Sequence, residues 1–270
     1  MKGVILAGGT GSRLMPLTKI ANKHLLPVYD RPMICYPLAS LVKAGITDIM
    51  IVSGVEHAGQ FIEFLGDGSE YGANIIYGCQ TKAGGIAEAI MVAKSFVGKD
   101  PMCVILGDNI FGEDIKPWAN KFKDSLYVPV PEGYPFDPLP PQQCHLVCKE
   151  VPITEAKNYG VLSDDGAGYG NIHIIEKPNY LTNGVYTKDT ALAVTGLYFY
   201  TADVFHKIKQ LKPSERGELE VSTLNDMYAA SGDLKYSVTN GVWHDCGVDL
   251  DHLLYTGNEM QCYSGASNDS

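Results

Sequence analysis

Three glycines and an arginine lie close together near the start of the chain, in the stretch GGTGSRL at residues 8–14. Glycines leave backbone N–H groups uncovered, and the guanidinium of Arg13 can form two parallel hydrogen bonds with phosphate oxygens. The apolar run at residues 4–7 indicates a strand that ends where this loop begins. These residue types predict a phosphate-binding loop, with an ordinary strand-to-helix turn as the alternative.

The loop lacks the fingerprints of two known phosphate-binding loops. A P-loop has a Lys-Ser/Thr pair after its glycines, and none follows here. A dinucleotide-binding loop has a third glycine where this chain has Leu14, and its second strand ends in an acid that binds the ribose, which is missing as well. Because a cofactor-binding loop would keep that pattern, we expect the nucleotide to be a substrate.

Two aspartates are candidates for holding a metal ion. Asp108 follows an apolar strand at residues 104–106, and ligands of parallel sheets bind beyond the carboxyl ends of the strands. One or two carboxylates together with phosphates form the usual environment of Mg²⁺. Asp245, in WHDCG, is a second carboxylate that could complete such a site. The alternative for Asp108 is a cap on the next turn.

Other charged residues have ordinary explanations when taken singly. Lys23, in NKHLLPV, is typical of a solvated surface lysine. Glu176 and Lys177 end a strand, and neighbouring strand residues point to opposite faces unless the strand has already ended. Arg216 and Glu218 lie just before a predicted helix, where the carboxylate suits the helix dipole.

The elements that must position these side chains alternate between strand and helix in the first half. Predicted strands cover residues 2–8, 47–54, 73–78 and 102–108, and predicted helices cover 36–45, 58–66 and 84–96. In the second half, predicted strands cover 143–151, 159–164, 171–177 and 193–200, before a helix at 218–232. The pattern predicts an α/β fold with a mixed, mostly parallel sheet and a smaller β-rich lobe.

The composition excludes several classes of partner. The formal net charge of −10 argues against a nucleic-acid surface, which needs a basic face. No apolar stretch approaches the roughly 18 residues that span a membrane, so we expect no membrane partner. The 7 cysteines form no CxxC pair and fit a reducing cytoplasm. Six prolines between residues 129 and 141 predict that 125–142 is a surface insertion.

Nine short motifs in order give the chain a family resemblance. They are LAGGTGSRLMPLT, NKHLLPV, DRPMICYPL, LGDN, NYGV, EKP, AVTGLYFY, RGELE and WHDCG. In this order they resemble the sugar-1-phosphate nucleotidylyltransferases, and within that family most of all the glucose-1-phosphate thymidylyltransferases. The resemblance implies a nucleotide-diphospho-sugar transferase fold, in which a Rossmann-like α/β core carries a sugar-binding β lobe.

The resemblance also implies roles for individual residues. Arg13, Lys23 and Asp108 would be catalytic, and Asp108 and Asp245 would bind Mg²⁺ as the cofactor. The implied nucleotide-binding residues are Leu6, Gly8, Gly9, Thr10, Gly11, Ser12, Arg13, Gln80, Gly85 and Asp108. The implied sugar-phosphate-binding residues are Lys23, Asn109, Tyr159, Gly160, Glu176, Lys177, Val194, Tyr198 and Arg216. The substrates would be a pyrimidine nucleoside triphosphate and a hexose 1-phosphate.

The reaction so implied is attack of a sugar-phosphate oxygen on the α-phosphorus of the triphosphate, in line with departing pyrophosphate. The favoured pair is dTTP and glucose 1-phosphate, with UTP or CTP and another hexose as alternatives. Gln80 leaves the base open, because its amide offers a donor and an acceptor and can be flipped. A non-catalytic sugar-nucleotide sensor is a remote alternative, since it would have lost the metal-binding aspartates or Lys23.

The expected organisation is a single nucleotidyltransferase domain over residues 1–258. Residues 1–124 would mainly bind the nucleotide, residues 143–258 mainly the sugar, and 259–270 would form a polar tail. We expect a cytoplasmic homo-oligomer.

Overall fold

The computed structural model describes residues 1–127, 141–164, 172–178 and 189–266. Most of the predicted insertion at 125–142 lies outside the described residues. No helix in these ranges combines the length and the apolar character that a membrane span requires.

The described strands are β1 (Lys2–Ala7), β2 (Pro27–Val28), β3 (Arg31–Pro32), β4 (Asp48–Gly54), β5 (Asn74–Gln80), β6 (Met102–Leu106), β7 (Asn109–Phe111), β8 (Cys144–Pro152), β9 (Gly160–Asp164), β10 (Ile172–Glu176), β11 (Thr190–Tyr200), β12 (Leu234–Thr239) and β13 (Trp243–Asp245). The described α-helices are α1 (Cys35–Lys43), α2 (Ala58–Leu65), α3 (Ile86–Val92), α4 (Lys94–Val97), α5 (Lys116–Ser125), α6 (Val204–Ile208), α7 (Val221–Ala230) and α8 (Leu250–Ala266). The strands and helices predicted from the pattern are confirmed, except that the helix at 84–96 divides at Ala93, whose ψ of −2° differs from the value of about −42° in a regular α-helix.

Nine of the described strands form one sheet. Strands β5, β4, β1 and β6 are parallel neighbours, and their registers align the carboxyl ends at one edge. β11 then runs antiparallel to β6, and β8 and β12 continue the sheet beyond it. The predicted fold class, a mixed and mostly parallel α/β sheet, is confirmed. Buried apolar side chains cover both faces, which explains why the strands are almost continuously hydrophobic.

The β-rich part is joined to the parallel strands through an irregularity in β11. The pairing of β11 with β8 shifts between Val194 and Tyr198. Before this bulge β11 pairs with β9, and after it β11 pairs with β6. A bulge bends its strand, so one strand serves both parts of the sheet.

The end of the chain differs from the prediction of a polar tail at 259–270. Helix α8 continues to Ala266, and Met260 is buried against Leu14, Leu26 and Val28. Because most residues of this helix are polar, the sequence did not show that one side of the helix packs against the rest of the protein.

Candidate active site

A cavity of about 330 Å³ opens at the carboxyl ends of the parallel strands and extends to the bulge of β11. Most of the residues predicted for the site line it. They are Leu6, Gly8, Gly9, Arg13, Lys23, Gln80, Gly85, Asp108, Asn109, Tyr159, Gly160, Glu176, Lys177, Val194, Tyr198, Arg216 and Asp245. Three predicted nucleotide-binding residues, Thr10, Gly11 and Ser12, do not line it.

The loop after β1 is shaped by glycines in the left-handed region. Gly9 has a φ of 98° and Gly11 a φ of 61°. A Cβ at Gly11 would lie 2.7 Å from the Cγ2 atom of Thr18, whose hydroxyl donates to the Gly11 carbonyl. Leu14, at the position of the missing third glycine, is fully buried. The loop is therefore anchored by an apolar side chain, while Arg13 is exposed at the cavity.

Lys23 and Asp108 form a largely buried ion pair in the cavity wall. The Lys23 Nζ atom lies 2.5 Å from Asp108 Oδ2. Burial alone would lower the pKa of Lys23, but the charges of Asp108 and Asp245 and the hydrogen bond with Asp108 raise it. Burial would likewise raise the pKa of Asp108, yet the charge of Lys23 holds it below its usual range. Both groups are therefore charged, and Lys23 is not the solvated surface lysine that its local sequence favours.

A small antiparallel ladder brings Asp245 to this pair. Strand β13 pairs with β7 so that Asp245 lies opposite Asn109, and the Cys246 N–H donates to the Asp108 carbonyl over 2.9 Å. Burial, and next the charge of Asp108, raise the pKa of Asp245 to about 7. The two carboxylates repel one another, and the charge of Lys23 offsets part of that repulsion.

The two carboxylates border a space that the Lys23 ammonium borders as well. A Cβ at Gly247 would lie 2.6 Å from Asp108 Oδ2, 3.2 Å from Asp245 Oδ1 and 3.3 Å from Lys23 Nζ, so these three atoms surround the volume that this glycine leaves open. No cluster of three or more His, Cys, Asp and Glu suited to a metal ion occurs among the described residues. A cation at the aspartates would thus need further oxygens from a ligand or water, as Mg²⁺ does in phosphate-binding sites.

Gln80 and Gly85 face each other at the end of β5. Gly85 has a φ of 94°, and a Cβ there would lie 2.5 Å from the Leu219 carbonyl oxygen. The Leu219 N–H donates to the Gly84 carbonyl over 2.8 Å. The segment before α7 is therefore fastened to the loop that carries Gly85.

Charged side chains gather on the opposite wall. Lys177 Nζ lies 3.2 Å from Glu176 Oε1, and Arg216 Nη2 lies 2.9 Å from Glu220 Oε1 and 3.6 Å from Glu176 Oε1. β10 ends at Glu176, and Lys177 has a φ of 43°. This left-handed residue ends the alternation of the strand, so neighbouring side chains can both border the cavity.

The apolar part of that wall comes from β9 and the bulge of β11. Val194 and Tyr198 are both buried and lie on either side of the bulge, with Gly196 between them, and all three line the cavity. Tyr159 packs on Trp243 with ring centroids 5.1 Å apart, and Gly160 pairs with Glu176 across the β9–β10 ladder.

The side chain of Asn109 is held by hydrogen bonds to three residues. Its Nδ2 atom donates to Asp108 Oδ1, and its Oδ1 atom accepts from the Gly196 N–H at 2.9 Å and from Trp243 Nε1 at 2.7 Å. These bonds orient the Asp108 carboxylate. The contact of Asn109 with a sugar phosphate stays a prediction.

Trp243 and Gly196 line the cavity but were missed from the sequence. Strand periodicity could have found Trp243, because it lies two residues before Asp245. Gly196 lies in the bulge of β11, which interrupts that periodicity. Glu88, which is hydrogen-bonded to Gln80, was also missed. Its only local signal is the first turn of a helix, where glutamate is common.

The family model described as nucleotidyl transferase matches residues 2–129 and 139–258, leaving out part of the proline-rich stretch. A glucose-1-phosphate thymidylyltransferase of Actinoplanes sp. is 37% identical over 93% of this chain and 75% of its own length. One from Neisseria meningitidis is 38% identical over 92% of this chain and 78% of its own.

Solved structures show the same relationship. A crystal structure described as a glucose-1-phosphate thymidylyltransferase from Bacillus anthracis, in complex with sucrose, is 41% identical with a TM-score of 0.81, covering 96% of this chain and 94% of its own. A UDP-glucose pyrophosphorylase in complex with UDP-glucose is 22% identical with a TM-score of 0.78, covering 96% of this chain and 98% of its own, and shares the fold.

Proposed function

The chain belongs to the nucleotidyl transferase family, and on that premise we propose that it transfers thymidylate from dTTP to glucose 1-phosphate. The products are dTDP-glucose and pyrophosphate, and the cofactor is Mg²⁺. The observation that carries the proposal is the constellation of Lys23, Asp108 and Asp245 in a cavity bordered by both parts of the sheet.

The two walls of the cavity take different parts of the reaction. Residues 8–13, Gln80 and Gly85 hold the nucleotide, with Arg13 on its phosphates. The opposite wall, with Glu176, Lys177 and Arg216, holds the hexose and its phosphate. Lys23 lies between them, where both phosphate groups meet.

The reaction requires the protein to position its two substrates and to supply positive charge. An oxygen of the sugar phosphate, already an anion at neutral pH, attacks the α-phosphorus, so no general base is needed. Two anionic substrates must be brought together in line, and fixed cations lower the cost of their repulsion. Lys23 keeps its proton beside Asp108 and can supply such a charge.

Asp108 and Asp245 would hold the metal ion through their carboxylate oxygens. When bound, Mg²⁺ neutralises charge that develops on the phosphate oxygens during transfer. Asn109 and Gly247 keep this site in shape, the first by its hydrogen bond to Asp108 and the second by leaving the space open.

A nucleotide panel tests the proposal directly. The protein is incubated with glucose 1-phosphate, Mg²⁺ and each of dTTP, UTP, CTP, ATP and GTP, and pyrophosphate and the nucleotide sugar are measured. We expect the fastest release with dTTP and none without Mg²⁺. Preference for UTP would change the assigned base, and no release with any triphosphate would favour a sensor or another sugar.

We extend the proposal to the setting of the protein. Sugar phosphates and nucleoside triphosphates are metabolites of the cytoplasm, and the seven cysteines are all free. We also expect the protein to form a homo-oligomer. Light scattering on the purified protein measures the assembly.

A further inference from the structure

The amide of Gln80 is held in one orientation by its neighbours. Its Nε2 atom donates to the Gly85 carbonyl over 3.2 Å and to Glu88 Oε2 over 2.9 Å. An amide nitrogen has two N–H groups, so both are used. What Gln80 can still offer a ligand is its carbonyl oxygen.

That oxygen lies on the cavity side of the residue. A Cβ at Gly8 would be 3.3 Å from Gln80 Oε1, and Gly8, Gln80 and Gly85 all line the cavity. The absence of a side chain at Gly8 therefore leaves the oxygen accessible to a base that enters beside the loop.

We propose that Glu88 determines base specificity by holding Gln80 with its carbonyl oxygen toward the base, which selects thymine and uracil against cytosine. The inference rests on the proposed function and names its specificity-determining residue. Thymine and uracil carry an N3–H that donates to an acceptor, whereas N3 of cytosine is itself an acceptor. Two facing acceptors leave both polar groups unpaired, and such mismatches discriminate strongly.

A carboxylate is suited to this task because it only accepts hydrogen bonds when ionised. It can pair with the NH₂ group of Gln80 but not with its oxygen, so it opposes the flip that would present a donor. A glutamine at position 88 could pair with either orientation. The charge of Glu88, rather than its size, is thus what fixes the amide.

Gly84 provides the room that Glu88 needs. A Cβ at position 84 would lie 1.6 Å from Glu88 Oε2, so the carboxylate occupies the place of the missing side chain. An alanine at position 84 would displace the flexible end of Glu88 while leaving residue 88 unchanged. This gives a second, independent way to release Gln80.

Glu88 also lies in the first turn of α3, where its charge suits the helix dipole. That role would affect the stability of the helix and all nucleotides alike. The measurement must therefore compare bases rather than overall activity.

The test measures binding of dTTP, UTP and CTP by isothermal titration, with Mg²⁺ and without sugar phosphate. The proteins are the unaltered chain, Glu88→Gln, Gly84→Ala and, as a matched control, Glu63→Gln on an exposed part of α2. We expect the unaltered chain and the control to prefer dTTP over CTP at least tenfold or so. We expect Glu88→Gln and Gly84→Ala to reduce that preference to about threefold or less, with the dTTP to UTP ratio unchanged.

Two results would overturn the inference. One is equal binding of CTP and dTTP by the unaltered chain, and the other is an unchanged preference in both variants. Because binding needs no turnover, these results are separate from the pyrophosphate assay that decides the proposed function. Thermal unfolding of each variant identifies a loss of binding that comes from a loss of fold.

Discussion

The two walls of the cavity, which we propose bind the nucleotide and the sugar phosphate, are built by different means. The nucleotide region (residues 8–13, Gln80 and Gly85) relies on backbone that glycines leave open, with positive φ at Gly9, Gly11 and Gly85. The sugar region (Glu176, Lys177 and residues 214–220) relies on charged side chains that are already paired with one another. Among the described residues, Arg13 has no carboxylate within ion-pair distance, whereas Arg216 faces three.

The difference follows from the strands beneath. Parallel strands deliver several chain ends to one edge, so loops and backbone N–H groups converge there. Antiparallel strands alternate their side chains, so a cavity beside them is built from side chains two residues apart. A ligand of the sugar region must therefore compete with existing ion pairs, while the nucleotide region needs no such rearrangement.

The largest expected effect is at the border of the two regions. Asp108→Asn should lower kcat about a hundredfold, on the order of 3 kcal/mol, because it removes the charge that pairs with Lys23 and that we propose holds the metal ion. Steady-state kinetics with dTTP and glucose 1-phosphate measure the effect, and circular dichroism checks the fold.

The matched control is Asp48→Asn, which removes the carboxylate of a surface pair whose Lys2 Nζ lies 2.7 Å away. Exposed pairs contribute little, so turnover should stay within about twofold. If Asp108→Asn kept near-normal turnover, the border between the regions would not be where the reaction occurs.

A smaller effect should distinguish the sugar region from the nucleotide region. Lys177→Ala removes a cation from the wall opposite Gln80. We expect the KM for glucose 1-phosphate to rise about tenfold and the KM for dTTP to stay unchanged, since one charge-assisted hydrogen bond is lost. Initial rates with each substrate varied in turn provide both constants.

Lys157→Ala is the control, because Lys157 is exposed, lies near the same wall and does not line the cavity. It should change neither constant. Equal increases in both constants for Lys177→Ala would mean that the two regions are not separate binding walls.

The last prediction concerns the stability of the sheet that both regions share, and no effect on turnover is expected. His145 on β8 is buried, its Nδ1 atom has no hydrogen-bond partner, and burial lowers its pKa to about 4. Because the folded state resists protonation, stability is complete above the ordinary pKa of 6.5 and falls as the pH drops toward 4. Between pH 7.5 and 5 this group should cost about 2 kcal/mol, and His145→Gln should remove that loss.

Urea unfolding at pH 7.5 and at pH 5 measures this loss of stability, with His206→Gln on the surface as the control. An unchanged pH dependence in His145→Gln would contradict the assignment to this histidine.

We propose that residues 1–258 form one domain. The fluorescence of Trp118 and Trp243, one from each half of the chain, should therefore report a single unfolding transition. Separate transitions for the two tryptophans would mean that the sheet contains two folding units.

The local sequence pattern was sufficient to predict structure where a single strand or loop determines it. The apolar runs of β1, β4 and β6 predicted a parallel sheet, and the glycine before Asp108 placed this residue beyond a strand end. Pattern failed where the outcome depends on packing. The polar residues after residue 258 predicted a tail, yet Met260 is buried on one face of α8.

By itself the sequence determined the fold class, the family and which residues to examine at the strand ends, because these follow from periodicity and from motifs in order. Only the tertiary structure decided that Asp245 lies beside Asp108, since the β7–β13 ladder joins segments far apart in the chain. It also decided how Gln80 is oriented, which the amide alone leaves open. The first depends on strand pairing between distant segments, and the second on hydrogen bonds to Gly85 and Glu88, which residue type and spacing do not identify as partners.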